Sequence, residues 1–171
     1  MTIRKFTKCL PRILVAVIIS ALGCSKAESP RKDPRPKILL RASLGDIVIE
    51  LFADRAPVTT SNFIRYVDEN RYKSASFYRA VTLNNQSNSD VKIQIIQGGI
   101  GPTANNKQLP PITHEATERT GILHVDGTIS MARREPNTAA SEFFVCVGDQ
   151  PELNFGGKRN KDIQGFAAFG E

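Results

Sequence analysis

The chain has 171 residues, of which 40% are hydrophobic and 7% aromatic, with 23 Lys+Arg against 17 Asp+Glu, three Cys and no Trp. That length accommodates one domain with a real core, and the mixture of apolar and charged residues excludes a disordered or low-complexity chain. The net charge of +6 would point to nucleic acid or an anionic surface only if it were spread over the fold; Arg4, Lys5, Lys8 and Arg12 precede any acidic residue, and without those four the remainder carries +2.

The cationic start is followed by Ile13 to Leu22 (ILVAVIISAL), about half the roughly 20 apolar residues that a membrane-spanning helix needs. A basic segment, a short apolar segment and then small residues have the layout of an export signal. Ala21-Leu22-Gly23-Cys24 resembles a bacterial lipobox, with Ala21 and Leu22 in the reverse of the usual order. Residues 1–23 are therefore read as a lipoprotein-type signal peptide and Cys24 as the lipidation site. If Cys9 leaves with the signal and Cys24 is acylated, Cys146 is the remaining thiol, which raises no pairing problem in an oxidising compartment. The expected location is the cell envelope, on the periplasmic side, anchored to membrane by lipid. Ser25 lacks the acidic character associated with inner-membrane retention, which favours the outer membrane. Residues 24–36 (CSKAESPRKDPRPK without its final Lys) contain Pro30, Pro34 and Pro36 and almost no apolar side chain, so they read as an extended tether. The domain then covers residues 37–171.

Within it, Ile38 to Ala42 and Asp46 to Leu51 are β-rich runs joined at Ser43-Leu44-Gly45, which predicts a hairpin. Pro57 opens a helical pattern carrying Phe63, Ile64, Tyr66 and Val67, and Asn70 fits its end. Phe77 to Val81 and Lys92 to Gln97 predict further strands around the polar loop Asn84 to Asp90. Gly121 to Val125, Thr128 to Ala132 and Phe143 to Val147 predict three more. Several short strands with turn residues between them indicate a mainly β sandwich or barrel with one packed helix.

Phe77-Tyr78-Arg79, Ile95-Ile96-Gln97-Gly98-Gly99, Ile129-Ser130-Met131-Ala132, Pro136-Asn137-Thr138 and Ser141-Glu142-Phe143-Phe144-Val145 stand in an order and spacing that resemble the cyclophilin-type peptidyl-prolyl cis/trans isomerases. The resemblance implies an antiparallel β-barrel with flanking helices and a substrate groove on its outer face. It implies Arg79 as the catalytic arginine and Gln97 as the glutamine that orients it. Ile95, Phe144 and Leu153 correspond to a proline pocket, and Ala132 with Arg133 to the backbone stretch that pairs with substrate. Glu142 stands where many members carry Gln and is able to accept a hydrogen bond from Arg79; Phe166 falls near the place of a groove His. Tyr78 replaces a common His, Gln94 a common Phe. Glu152 occupies the place of a Trp that favours cyclosporin, which implies weak sensitivity to that drug. The implied partners are proline-containing polypeptides; neither cofactor, metal nor nucleic acid is implied, and the protein is expected to be a monomer. Family members continue beyond the match to Gly165-Phe166-Ala167-Ala168-Phe169-Gly170 with a helix and a strand that closes the barrel. Ile38 to Ala42 is therefore expected to present an unpaired edge, with marginal stability as its consequence.

Two other readings stay open on the sequence alone. One is a non-catalytic proline-peptide binding module or chaperone that uses the same groove, the other an envelope lipoprotein that uses the scaffold for assembly. His114-Glu115 lacks the second His of a zinc-protease helix, His124 in its apolar run reads as a structural residue, and Gly98-Gly99-Ile100-Gly101 lacks the spacing of a phosphate loop. Arg133-Arg134 is a local cation pair without interleaved aromatics, so no nucleic-acid surface is expected.

Overall fold

The structure is a computed structural model that describes residues 2–5, 35–101 and 108–171. The apolar run 13–22, Cys24 and nearly all of the tether lie outside the described residues. The strands are β1 (Thr2–Lys5), β2 (Lys37–Ala42), β3 (Gly45–Glu50), β4 (Ser76–Val81), β5 (Ile95–Gly99), β6 (Ile129–Met131), β7 (Phe143–Cys146) and β8 (Ala167–Gly170), with helices α1 (Pro57–Asp68) and α2 (Thr117–Thr120). They form an antiparallel three-stranded sheet, β1-β2-β3, and an antiparallel five-stranded sheet, β4-β5-β7-β6-β8. A bridge between Leu51 and Gly170, with paired hydrogen bonds between Glu50 and Glu171, joins the two sheets. The mainly β antiparallel expectation holds, but among the described residues no closed barrel forms.

The expected hairpin at Ser43-Leu44-Gly45 is present. In the unprocessed chain the edge of β2 is paired, so the expected unpaired edge applies only to a chain from which residues 1–23 have been removed. Thr2–Lys5 pairs along it with Ile3 opposite Leu40, and Ile3 is buried in the core beside Ile38 and Leu40. A strand end with one apolar residue in phase with the alternation of β2 suffices to cover that edge. The strand expected at Gly121 to Val125 is also absent. Gly121 takes a left-handed conformation (φ +66°) at the end of α2, and the next backbone groups turn to side chains: Ile122 N–H to Thr120 Oγ1, His124 N–H to Asn154 Oδ1 and Val125 N–H to Thr128 Oγ1. A backbone satisfied in this way has no ladder to join. Conversely, the run 167–170 forms β8, fully buried on both faces.

The core is aromatic. Phe63 meets Tyr72, Phe143 and Phe169 with ring centroids 5.2 to 5.5 Å apart, and all four side chains are buried. Two buried hydroxyls find partners: Tyr72 donates to the Ser141 carbonyl at 2.8 Å, and Leu109 N–H donates to Tyr66 Oη at 2.6 Å. Helix α1 starts at Pro57, whose missing N–H needs no partner there, but Ala56 has no side chain to cap it. Glu115 serves instead, from a distant loop. Its buried carboxylate accepts from Val58 N–H at 3.2 Å and Thr59 N–H at 2.8 Å, placing a negative charge at the positive end of the helix. The His114-Glu115 pair is thus part of the scaffold.

Candidate functional site

Strand register brings the expected residues onto one face of the five-stranded sheet. Arg79 lies opposite Gln97, and Gln97 opposite Phe144; one step on, Val81 lies opposite Ile95 and Ile95 opposite Cys146. Because side chains alternate between faces, these two rungs share the face opposite Phe143 and Met131, which point into the aromatic core. One rung carries polar groups and the other is apolar. Val81, Ile93, Ile95, Phe144, Cys146 and Leu153 form a second buried cluster, with Ala132 and Phe166 packed against it.

A β-bulge between Phe77 and Arg79 breaks the alternation of β4. The extra residue lets Tyr78 and Arg79, neighbours in sequence, both reach Gln97. Arg79 donates from Nη1 to Gln97 Oε1 at 3.2 Å, Gln97 donates from Nε2 to Tyr78 Oη at 2.9 Å, and the Tyr78 hydroxyl donates to the Glu142 carboxylate. Glu142 also accepts from Ser141 Oγ at 3.0 Å and Gly101 N–H at 3.2 Å. Its partner is therefore Tyr78 and not Arg79, which corrects the sequence expectation. Burial, reinforced by the neighbouring carboxylate, pushes the Tyr78 phenol well above its ordinary range, so it keeps its proton. Beside this row lies a cleft of 490 Å³, lined by Tyr78, Arg79, Gln97, Ala132, Arg133 and Glu142 among others.

Phe166 closes the apolar cluster edge-on against Phe144, centroids 5.3 Å apart. It is held in turn by Arg133, whose guanidinium stacks over its ring at 5.3 Å. Arg133 makes a bidentate pair with Asp162 at 2.7 and 2.9 Å and donates from Nε to the Gly165 carbonyl at 2.9 Å. Its side chain is 0% exposed. The Arg133 side chain, at the expected substrate-pairing stretch, is thus fully engaged within the protein, while Ala132 and Arg133 both border the cleft. Ala132 N–H itself donates to the Glu142 carbonyl. Arg133 holds the Asp162 carboxyl down at about 2. Glu152, in the place of the family Trp, accepts from Lys158 N–H at 2.8 Å and fixes the turn that follows.

Two irregular segments flank the cluster, and one side chain ties them together. Arg159 donates from Nη1 to Gln86 Oε1 at 2.9 Å, Ser89 Oγ at 2.7 Å and the Val91 carbonyl at 2.6 Å. Behind Phe144, His124 is 1% exposed and stacks on its ring. Its Nδ1 lies 2.8 Å from Asn154 Oδ1 and its Nε2 3.0 Å from Ser130 Oγ. Since Asn154 Oδ1 accepts, Nδ1 carries the proton and Nε2 accepts from the serine. Burial lowers the imidazole to about 4, so it is neutral. The structural reading of His124 holds. Sequence reasoning missed Asp162, Arg159 and Asn154, none of which has a local pattern; Ser130 and Tyr78 were named within the motifs, but their contacts with His124 and Glu142 were not foreseen. Among the described residues no group of three or more His, Cys, Asp or Glu is placed to hold a metal, and no helix is long and apolar enough to cross a membrane.

Residues 37–171 match the family model described as cyclophilin type peptidyl-prolyl cis-trans isomerase/CLD. Peptidyl-prolyl cis-trans isomerase B of Escherichia coli (strain K12) is 36% identical over 116 residues, 67% of this chain and 64% of that protein. A peptidyl-prolyl cis-trans isomerase of Acinetobacter baylyi is 34% identical over 136 residues, 77% of this chain and 63% of that protein. The chain thus spans just under two thirds of the length of these two relatives. A crystal structure of a cyclophilin-type peptidyl-prolyl cis-trans isomerase of Cryptosporidium parvum, in the presence of the dipeptide Ala-Pro, superposes with a TM-score of 0.60. It is 24% identical, and the match covers 79% of this chain and 77% of that one.

Proposed function

Because this chain belongs to the cyclophilin-type peptidyl-prolyl cis-trans isomerase family, we propose that it accelerates rotation about X–Pro bonds in polypeptides, with Arg79 and Gln97 at the reacting bond and Ile95, Phe144, Leu153 and Phe166 around the proline ring. The uncatalysed barrier is about 18–20 kcal/mol, and no covalent bond is made or cut. Catalysis then requires only that the twisted state be held better than either planar one. Twisting removes conjugation and leaves a lone pair on the proline nitrogen, to which a positioned guanidinium N–H can donate. An apolar pocket keeps the ring still while the acyl side turns.

One observation supports this reading above the others: the polar rung Arg79–Gln97 lies directly beside the apolar rung Val81–Ile95–Cys146 on a single sheet face, with Phe144 at their junction. The donor borders the cleft and the buried apolar cluster begins two residues along the strand, an arrangement that suits an imide bond with its ring. In an assay of an X-Pro peptide, followed by exchange NMR, Arg79→Ala is expected to lower turnover about a hundredfold, the effect of removing one transition-state donor. Unchanged turnover would refute the role of Arg79. Peptide binding without any acceleration by the wild type would instead support a binding module.

The same proposal extends to location. Residues 1–23 act as a lipoprotein-type export signal, Cys24 carries the lipid, and the domain works as a monomer on proline-containing chains at the periplasmic side of the envelope, with the outer membrane favoured. What supports this is the basic start, the short apolar run and the Leu22-Gly23-Cys24 sequence. Radioactive palmitate is expected to label the wild type and not Cys24→Ala; an unlabelled wild type overturns it.

A further inference from the structure

Arg79, Gln97, Tyr78 and Glu142 form a row with a donor-only group at one end and an acceptor-only group at the other. We propose that Tyr78 and Glu142 are positioning residues that set the direction of this hydrogen-bond row and thereby the orientation of the Arg79 guanidinium. The inference rests on the isomerase reading and adds to it two residues that do not themselves touch the reacting bond.

A carboxylate can only accept and a guanidinium can only donate, whereas a primary amide and a phenol do both. Glu142 therefore takes the single proton of Tyr78. With that proton committed, Tyr78 can offer Gln97 only a lone pair, so Gln97 turns its NH2 towards Tyr78 and its carbonyl oxygen towards Arg79. Each member has one arrangement left. The high affinity of the Tyr78 phenol for its proton agrees with this order. The carboxylate is itself seated firmly: Ser141 and Gly101 donate to it, and it fills the space where a Cβ of residue 99 would stand. Gly99, at φ +150°, leaves that space open, and any side chain there would overlap the carboxylate.

An amide in place of Glu142 removes the direction. Glutamine can donate to Tyr78 as readily as accept from it, which frees the phenol to donate to Gln97. The Gln97 amide then turns over and presents NH2 to the guanidinium, donor against donor, and Arg79 loses its anchor in part of the population. Phenylalanine at position 78 interrupts the row at its centre with the same result.

The test compares Glu142→Gln, Tyr78→Phe, the double variant and Arg79→Ala in the X-Pro exchange assay, with thermal unfolding alongside. Each single variant is expected to lower kcat about tenfold, the worth of one directed hydrogen bond, with KM and the unfolding midpoint close to wild type. The double variant is expected to match the singles, because both act through one row. Gly99→Ala keeps every polar group but displaces the carboxylate and strains a backbone at φ +150°, so it is expected to lower kcat as Glu142→Gln does and, unlike it, to lower the unfolding midpoint as well. In parallel, the Gln97 side-chain NH2 resonances are expected to move in Tyr78→Phe. Wild-type kcat in both single variants while Arg79→Ala is inactive overturns the inference and leaves the isomerase reading standing; losses that multiply in the double variant also overturn it. An Arg79→Ala enzyme with full activity fails the isomerase reading itself. Unmoved Gln97 resonances in Tyr78→Phe overturn the inference whatever the kinetics.

Discussion

Replacing Asp162 by Asn removes the charge that holds one side of the second apolar cluster. Arg133 grips Asp162 through two hydrogen bonds of 2.7 and 2.9 Å, is itself fully buried, and braces the Phe166 ring that closes on Phe144. Chiefly through hydrogen bonding to Arg133, the Asp162 carboxyl titrates at about 2 in place of 3.8. That interval corresponds to a ceiling of about 2.5 kcal/mol. Asp162 keeps 23% of its side chain exposed, and solvent screening reduces the direct term to about 1–2 kcal/mol. Stranding a buried guanidinium adds to the loss, moderated because the Gly165 carbonyl remains on Nε. A total near 2 kcal/mol, about 4–8 °C in Tm, is expected for a chain of this size. The folded carboxyl titrates below the unfolded one, so its contribution is complete above about pH 4 and disappears as pH falls through about 2. Urea unfolding of wild type and Asp162→Asn between about pH 7 and pH 2 reads both quantities. Equal stability at neutral pH, or a difference that stays constant down to about pH 2, would refute the reasoning.

His124 gives a second pH signature of different origin. Its folded imidazole titrates at about 4 against an ordinary 6.5, so the unfolded chain binds the extra proton first and stability falls as pH drops from about 6.5 to about 4; a variant His124→Asn whose stability follows pH as steeply as wild type in that window contradicts this. Burial pushes the Cys146 thiol up to about 12, which makes it inert in the native state. Peptide-resolved alkylation is expected to modify Cys146 only in urea at which the domain has unfolded, and labelling of the native protein would show the thiol to be accessible. Glu115→Ala leaves two N–H groups of α1 without their acceptor and is expected to cost about 1–2 kcal/mol, read by the urea midpoint; no change would mean that water replaces the carboxylate.

Strand existence was legible in this chain wherever alternation coincided with a ladder, as at Ile38 and Leu40 or in the hairpin around Gly45. It misled at Gly121 to Val125, where the apolar letters are the same but His124 is drawn to Asn154 and the backbone follows it. Arg79, Gln97 and Phe144 were legible as motif residues, and register explains why they meet, since each stands on a strand next to that of its partner. The Tyr78 to Glu142 and Arg133 to Asp162 contacts span 64 and 29 residues, distances over which composition and spacing carry no pairing information. Pairing of β1 with β2 was hidden for a related reason: its four residues sit inside a basic start that reads as a targeting segment, and a strand that short has no period of its own.

The three hydrogen bonds of Arg159 make a single exchangeable cassette of the two segments beside the second apolar cluster. Replacing residues 82–93 would take away the Gln86 and Ser89 acceptors and leave the Arg159 cation without its seat, and replacing 154–165 would take away the cation and leave the acceptors without their donor. Loop transplantation on this side of the domain therefore has to move both stretches together, and a library that diversifies one of them must hold Arg159 and its three acceptors constant.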